Sequence, residues 1–300
     1  MQLPDVERLC GTIVPGAGGV QIQSMGAGLL SETYKVTRDG AAYALKVAAE
    51  HRPELGLERA WEVRVLERAG GAGLAPRLVY SDADATVVVA RWVSGRPWAS
   101  QDSTLAANIR SIAALLRRVH ALAVPAPPRA VNPLQWIAIY STALAKRSAP
   151  PGNPALRTAA VDRAQQIAEP PLVAGVVCHS DLHAMNLIRG AESLILLDWE
   201  YAHVADPMWD LAGWSANNDL EAGAQWTLLS DYLQTTPAQQ AWRRLRQFLW
   251  LYDYVCLLWS QLYLSVLGEQ GLGGEEGGKG IAERARLLDA RLHLPAHYAA

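Results

Sequence analysis

A chain of 300 residues that is 50% hydrophobic and 19% charged excludes a disordered protein and has material for two domains, or two lobes sharing a cleft. Its 27 Lys and Arg against 29 Asp and Glu leave a net charge of −2, which excludes the blanket attraction of a strongly basic chain to nucleic acid or anionic lipid. Cys10, Cys178 and Cys256 are odd in number and far apart, so neither a disulfide framework nor a cysteine-rich zinc site follows, and a reducing cytoplasm is the expected compartment.

Residues 1–10 carry acids and no apolar run, unlike a signal peptide. The first ninety residues read as strand-rich, with β-prone runs at 20–22, 33–37 and 42–47. Arg38-Asp39-Gly40 between the last two is a hairpin signal. A helix is predicted over 54–69, with Leu55, Ala60, Val63 and Leu66 near one face, and Val87 to Ala90 form a further strand. After Gly95 and Pro97 helices dominate, at 103–122, 133–148, 158–168, 207–216, 221–234, 237–267 and 281–292. Residues 172–202 differ, since two apolar strands flank a polar loop there. The glycine-rich stretch 268–280 is expected to be a mobile loop. Phe248 to Leu267 has the length of a membrane span. Asp253 inside it, together with Ser260, Gln261 and Ser265, instead predicts a buried helix of a large lobe.

The chemistry concentrates in Val176 to Leu211. His179-x-Asp181 is followed by Asn186, and Asp198 ends the apolar run Leu194 to Leu197. A lone Asp at a strand end is usually a turn former, and a lone His is usually structural. Together, however, these residues suit phosphoryl transfer. One carboxylate accepts the proton of an attacking hydroxyl, while an amide oxygen and a second carboxylate hold Mg²⁺ against phosphates. Ligation of a metal by His179, His183 and Asp181 is the weaker alternative, because hard oxygen ligands outnumber nitrogens.

This segment resembles the H-x-D-x-x-x-x-N loop and metal-binding Asp of the aminoglycoside phosphotransferase and choline kinase superfamily. Asp198-Trp199-Glu200-Tyr201-Ala202 and Asp206-Pro207-x-Trp209-Asp210-Leu211-Ala212 resemble the choline/ethanolamine kinase and bacterial thiamine kinase branch more than classical aminoglycoside kinases. The resemblance implies an α+β, protein-kinase-like two-lobe fold. Residues 1–93 would form a small β-rich nucleotide-binding lobe and 94–300 a large, mainly helical catalytic and acceptor-binding lobe. It implies ATP and Mg²⁺ as cofactors, Asp181 and His179 as catalytic residues, and Asn186 and Asp198 as metal ligands. Asp210 would hold the catalytic loop from behind. Gly26, Gly28 and Ser31 would fold over the phosphates, which Lys46 touches, with Glu62 pairing Lys46 and Glu58 as the rival partner. Gly73-Leu74-Ala75-Pro76 stands at the family's distance and favours Glu62. The hinge would lie at Ala90 to Val93, with Ala90 and Trp92 offering backbone groups to adenine. Ser180 and Met185 occupy positions where the family commonly has glycine, and the phosphate loop lacks a strict GxGxxG.

For the acceptor, Trp250, Asp253, Tyr254 and Leu257 share one helix face. A carboxylate beside a Trp and a Tyr suits a cationic alcohol such as choline or thiamine, and Glu200 adds negative charge. The alternative is that Asp253 pairs with an internal Arg and the aromatics are core. The expected function is thus a small-molecule kinase for a cationic alcohol, acting as monomer or homodimer with no nucleic-acid or membrane partner. An antibiotic or sugar kinase is the rival, and a catalytically silent nucleotide-binding protein is the reading from another class.

Overall fold

In the computed structural model, residues 3–27, 31–48, 55–147, 153–167, 175–190, 193–269 and 276–299 are described. Asp39 and Gly40 take φ of 49° and 76°, both left-handed, as a two-residue hairpin turn demands. They join β2 (Ser31–Arg38) to β3 (Ala41–Ala48) in a register that pairs Arg38 with Ala41. With β1 (Gln21–Ala27), β4 (Leu78–Ser81) and β5 (Val87–Arg91) these strands form an antiparallel sheet in the order β1-β2-β3-β5-β4.

Helix α1 (Leu3–Ile13), which the strand-rich reading of this region did not include, covers one face of the sheet. Its Val6 and Cys10, with Val14, bury against Val36, Tyr43, Leu45 and Val89. Arg38 ties the helix end down through Nη1 to the Gly11 and Val14 carbonyls, at 3.0 and 2.6 Å. Helix α2 (Arg59–Gly71) lies on the larger core instead, through Trp61, Val65, Leu66 and Ala69, and from the sheet Val88 and Leu78 join it there.

The rest is mainly helical: α3 (Ala106–His120), α4 (Pro133–Lys146), α5 (Pro154–Ile167), α6 (Met208–Asn217), α7 (Ala222–Leu233), α8 (Gln239–Glu269) and α9 (Glu276–Leu292). Asn132 and Gln135 form a reciprocal capping box that fixes the start of α4. Two small sheets interrupt the helices, one of β6 (Arg96–Pro97), β8 (Leu187–Arg189) and β9 (Leu194–Leu196), the other of β7 (Val176–Cys178) and β10 (His203–Ala205). The turns β7–β8 and β9–β10 carry residues 179–186 and 197–202 to one cleft. Helix α8 runs through the core, and among the described residues no helix is long and apolar enough to cross a membrane. Within 268–280, Glu269 still belongs to α8 and α9 begins at Glu276, so the expected loop is shorter than thirteen residues; 270–275 lie outside the described residues.

Candidate active site

The loop after β7 is built on one buried carboxylate. Asp210, projecting from α6 with no exposure, accepts the backbone N–H groups of His179 and Ser180, both at 2.8 Å, and lies 3.1 Å from His120 Nε2. Burial pushes the Asp210 carboxyl up, but its hydrogen bond to His120 and the backbone N–H of His179 bring it below its ordinary value. Both of its oxygens are thereby occupied, so the buried group His120, Cys178 and Asp210 is a loop support rather than a metal site.

His179 is corrected from a catalytic to a positioning residue. Its ring is fully buried against Trp199, Nε2 lies 2.8 Å from the Leu197 carbonyl, and Nδ1 accepts the Asp181 N–H at 3.3 Å. Desolvation draws its pKa down, and the ring ties the turns at 179–186 and 197–202 together.

Asp181 lines the cleft. Asn186 Nδ2 donates to its carbonyl and to Oδ2, at 3.0 and 3.2 Å, and His183 Nε2 lies 3.5 Å from Oδ2. Burial raises the Asp181 carboxyl, yet His183, His179 and Arg284 hold it below its ordinary value, so it is ionised and able to accept a proton. Asn186 spends its amide nitrogen in this way, which leaves its oxygen for a ligand. Asp198, at φ 62° and 43% exposed at the side chain, is reached by Lys46 Nζ at 2.7 Å through Oδ1. One amide oxygen and one accessible carboxylate are hard donors, a set that fits Mg²⁺.

Lys46, on β3, gathers three carboxylates: Asp198, Glu200 at 2.8 Å and Glu62 at 3.4 Å. Burial would lower its pKa, but the three negative charges lift it well above the ordinary lysine value. Glu58 instead faces Arg64 and Arg129, at 3.7 and 3.5 Å. Glu200, expected at the acceptor, lines the cavity and also pairs with Lys46; its burial pushes its pKa up to about 7. Ser31 opens β2 and lines the same cavity, and Gly26 sits at a β-bulge with φ 133°. Gly28 lies outside the described residues. Ala90 is paired with Ala44 and Leu78 in the sheet, and the Trp92 N–H, expected to face adenine, instead donates to the Ala42 carbonyl at 3.0 Å.

Beside Asp181 opens a cavity of about 330 Å³ with aromatic walls. Trp136 and Tyr140 of α4 stack at 5.4 Å on one side, and Trp259 of α8 donates to the Tyr201 hydroxyl at 2.7 Å on another. Arg284 of α9 also lines it and donates to Asn217 Oδ1 at 2.7 Å. Sequence reasoning missed Trp136, Tyr140 and Arg284, whose only signal is helical spacing on remote elements. Of the two readings of α8, its geometry matches the alternative in which Asp253 pairs with an internal Arg. Trp250 and Asp253 do not line the cavity; Tyr252, Val255, Cys256 and Trp259 do, at the same i, i+3, i+4, i+7 spacing. Asp253, with no exposure, is held by Arg291 at 2.5 Å and by the Tyr298 hydroxyl at 2.6 Å. Trp250 is buried on Tyr254, with its Nε1 3.4 Å from the Leu292 carbonyl. The internal Arg, not a ligand, neutralises Asp253, because a fully buried carboxylate needs its cation in the fold.

A thiamine kinase of Escherichia coli is 37% identical over 108 residues, 33% of this chain and 38% of the relative, so the match spans well under half of that protein. Among solved structures, a choline/ethanolamine kinase family protein from Mesorhizobium loti superposes with a TM-score of 0.77 at 19% identity, covering 99% of this chain and 97% of the other. A choline kinase from Streptococcus pneumoniae gives 0.72 at 22% identity, with 96% and 98% covered. A macrolide 2′-phosphotransferase from Brachybacterium faecium gives 0.62 at 20%, with 95% and 98% covered. These likenesses show the protein-kinase-like fold that the catalytic-loop motif implied. The profile of the phosphotransferase enzyme family matches residues 21–248, a span that holds Lys46, the Asp181 loop and Asp198 together. Over that span, well above half of its length, the chain belongs to the phosphotransferase enzyme family.

Proposed function

We propose that the protein is a small-molecule kinase that moves the γ-phosphoryl group of ATP to a hydroxyl of a compact cationic alcohol, of the choline, ethanolamine or thiamine type. The observation that carries this reading is the convergence of an ionised Asp181, the Asn186 and Asp198 oxygens and Lys46 at the mouth of one aromatic cavity. Asp181 takes the proton of the acceptor hydroxyl, which makes its oxygen the nucleophile toward the γ-phosphorus. Lys46 turns from its carboxylates to the α- and β-phosphates, with Glu62 keeping it in reach. Asn186 and Asp198 would hold Mg²⁺, which when bound neutralises the phosphate charge.

The cavity favours a cation through the aromatic faces of Trp136, Tyr140 and Trp259 and the carboxylate of Asp181, with Asp198 and Glu200 shared with Lys46 and Arg284 set against them. About 330 Å³ is at the small end of ligand pockets, which favours a compact alcohol over a multi-ring antibiotic. The test is an acceptor panel of thiamine, choline, ethanolamine, sugars and antibiotics read out by ADP release. Asp181→Asn should lower kcat with the best acceptor by roughly 10²–10⁴ while nucleotide binding persists. Undiminished turnover in that variant refutes the assignment.

A further inference from the structure

Ser180 stands between buried His179 and Asp181 and lines the same cavity as Asp181. Its φ of 72° is left-handed, a conformation that glycine adopts freely and that disfavours a side chain. The surroundings hold it there. Its N–H goes to Asp210 at 2.8 Å, its carbonyl accepts the Tyr252 hydroxyl at 3.1 Å, and its Oγ lies 2.9 Å from His203 Nδ1.

The direction of that last bond follows from the far side of the imidazole. Trp136 Nε1 can only donate, and it lies 3.3 Å from His203 Nε2, so Nε2 is the bare nitrogen and Nδ1 carries the proton. Burial keeps the ring neutral, with its pKa drawn down to about 4. The Nδ1–H is shared between the Tyr201 carbonyl at 3.0 Å and Ser180 Oγ, which makes Oγ an acceptor. The hydroxyl proton of Ser180 therefore has no partner among the described residues, on a cavity wall one residue from Asp181.

We propose that Ser180 contacts the phosphoryl acceptor directly, donating its hydroxyl proton to a second hydrogen-bond-accepting atom of that molecule, distinct from the hydroxyl that Asp181 activates. This deepens the kinase reading above and rests on it. A trimethylammonium alcohol has no such second atom, whereas a heteroaromatic alcohol has ring nitrogens to offer. The site thus selects heteroaromatic alcohols, and the stacked walls of Trp136 and Tyr140 suit the same shape.

The experiment measures KM and kcat for thiamine and for choline, with ADP release as readout, in the wild type and in Ser180→Gly, Ser180→Ala and Ser180→Asn. Wild type should show the higher kcat/KM with thiamine. Ser180→Gly and Ser180→Ala should each raise the thiamine KM about five-fold, the loss of one neutral hydrogen bond, while the KM for ATP stays put. Ser180→Asn tolerates the left-handed backbone and keeps both an acceptor and a donor, so it should recover most of the lost affinity. Ser180→Gly should melt no lower than wild type, which removes misfolding as an explanation. A side chain that merely shapes the turn predicts the reverse for Ser180→Gly, and a wild-type thiamine KM in that variant overturns the proposal. So does a wild-type preference for choline. If no alcohol of the panel elicits ADP release above the rate without acceptor, the kinase reading fails and this inference with it.

Discussion

Gly213, in the middle of α6, is a position where helix propensity and packing make opposite predictions. Propensity alone says that Gly213→Ala should stabilise the helix by about 1 kcal/mol. A Cβ there, however, would meet the Tyr252 ring at 2.9 and 3.1 Å and its hydroxyl oxygen at 3.3 Å, where ordinary contact begins near 3.4 Å. Tyr252 cannot swing aside. It is buried, its ring packs 5.0 Å from Trp209, and its hydroxyl is fixed between Asn217 Nδ2 at 2.9 Å and the Ser180 carbonyl at 3.1 Å. Overpacking of this kind costs about 1–3 kcal/mol, so packing outweighs propensity and leaves a net loss of about 1 kcal/mol. For a chain of this size that lowers Tm by roughly 2–4 °C. The half-ångström displacement is passed through the Tyr252 hydroxyl to the loop that carries Asp181, and kcat should fall about ten-fold. Differential scanning fluorimetry and ADP release read the two effects. A Tm above wild type with unchanged kcat would refute the reasoning, because it would mean that the α6–α8 contact gives way without reaching the loop.

The reassigned Asp253 gives a complementary expectation. Asp253→Ala removes one partner of a buried ion pair and leaves Arg291 with Asp219 at 3.0 Å, the Tyr298 hydroxyl and partial solvent, so the loss is about 3 kcal/mol, roughly 6–12 °C in Tm. The acceptor KM should stay within two-fold, and a ten-fold rise would put Asp253 back at the substrate. The third concerns acid. His203 titrates near 4 in the fold and about 6.5 when unfolded, so its contribution to stability is complete above pH 6.5 and is lost as pH falls toward 4. Over that window each such group contributes a slope of about 1.4 kcal/mol per pH unit. Buried His179, also shifted down, adds to it. Denaturant titrations at pH 7.5, 5.5 and 4.5 should show a shallower slope in His203→Gln, and equal slopes in variant and wild type would contradict the assignment.

What could be read from the sequence divides along physical lines. The hairpin at Asp39-Gly40 and the partnership of Lys46 with Glu62 were legible, because a left-handed turn and the spacing to Gly73-Leu74-Ala75-Pro76 are local or ordered along the chain. The polar load within Phe248 to Leu267 likewise marked a buried helix. The role of His179 was not legible, since whether an imidazole faces substrate or the Leu197 carbonyl depends on a turn eighteen residues away. For α8 the period was readable but the phase was not. The apolar and polar-tipped residues run all around that helix, and only the arrival of Arg291 and Tyr298, 38 and 45 residues on, decides which face meets α9. Helix α1 was hidden because a short helix takes its stability from the sheet face it covers rather than from propensity.

The division of the cores has a mechanical consequence. Much of the sheet rests on α1 in a small apolar cluster, with Val88 and Leu78 reaching the larger core, where α2 is rooted with Trp199 and Leu196. Glu62, Asp198 and Glu200 therefore stand on the larger core, while Lys46 lies between Leu45 and Val47, which pack into the smaller one. Any rocking of the sheet leaves the carboxylate trio intact and changes all three lysine distances at once. Lys46 becomes a gauge of cleft opening, and a spectroscopic label on the outer edge strand paired with one on α2 would follow that motion.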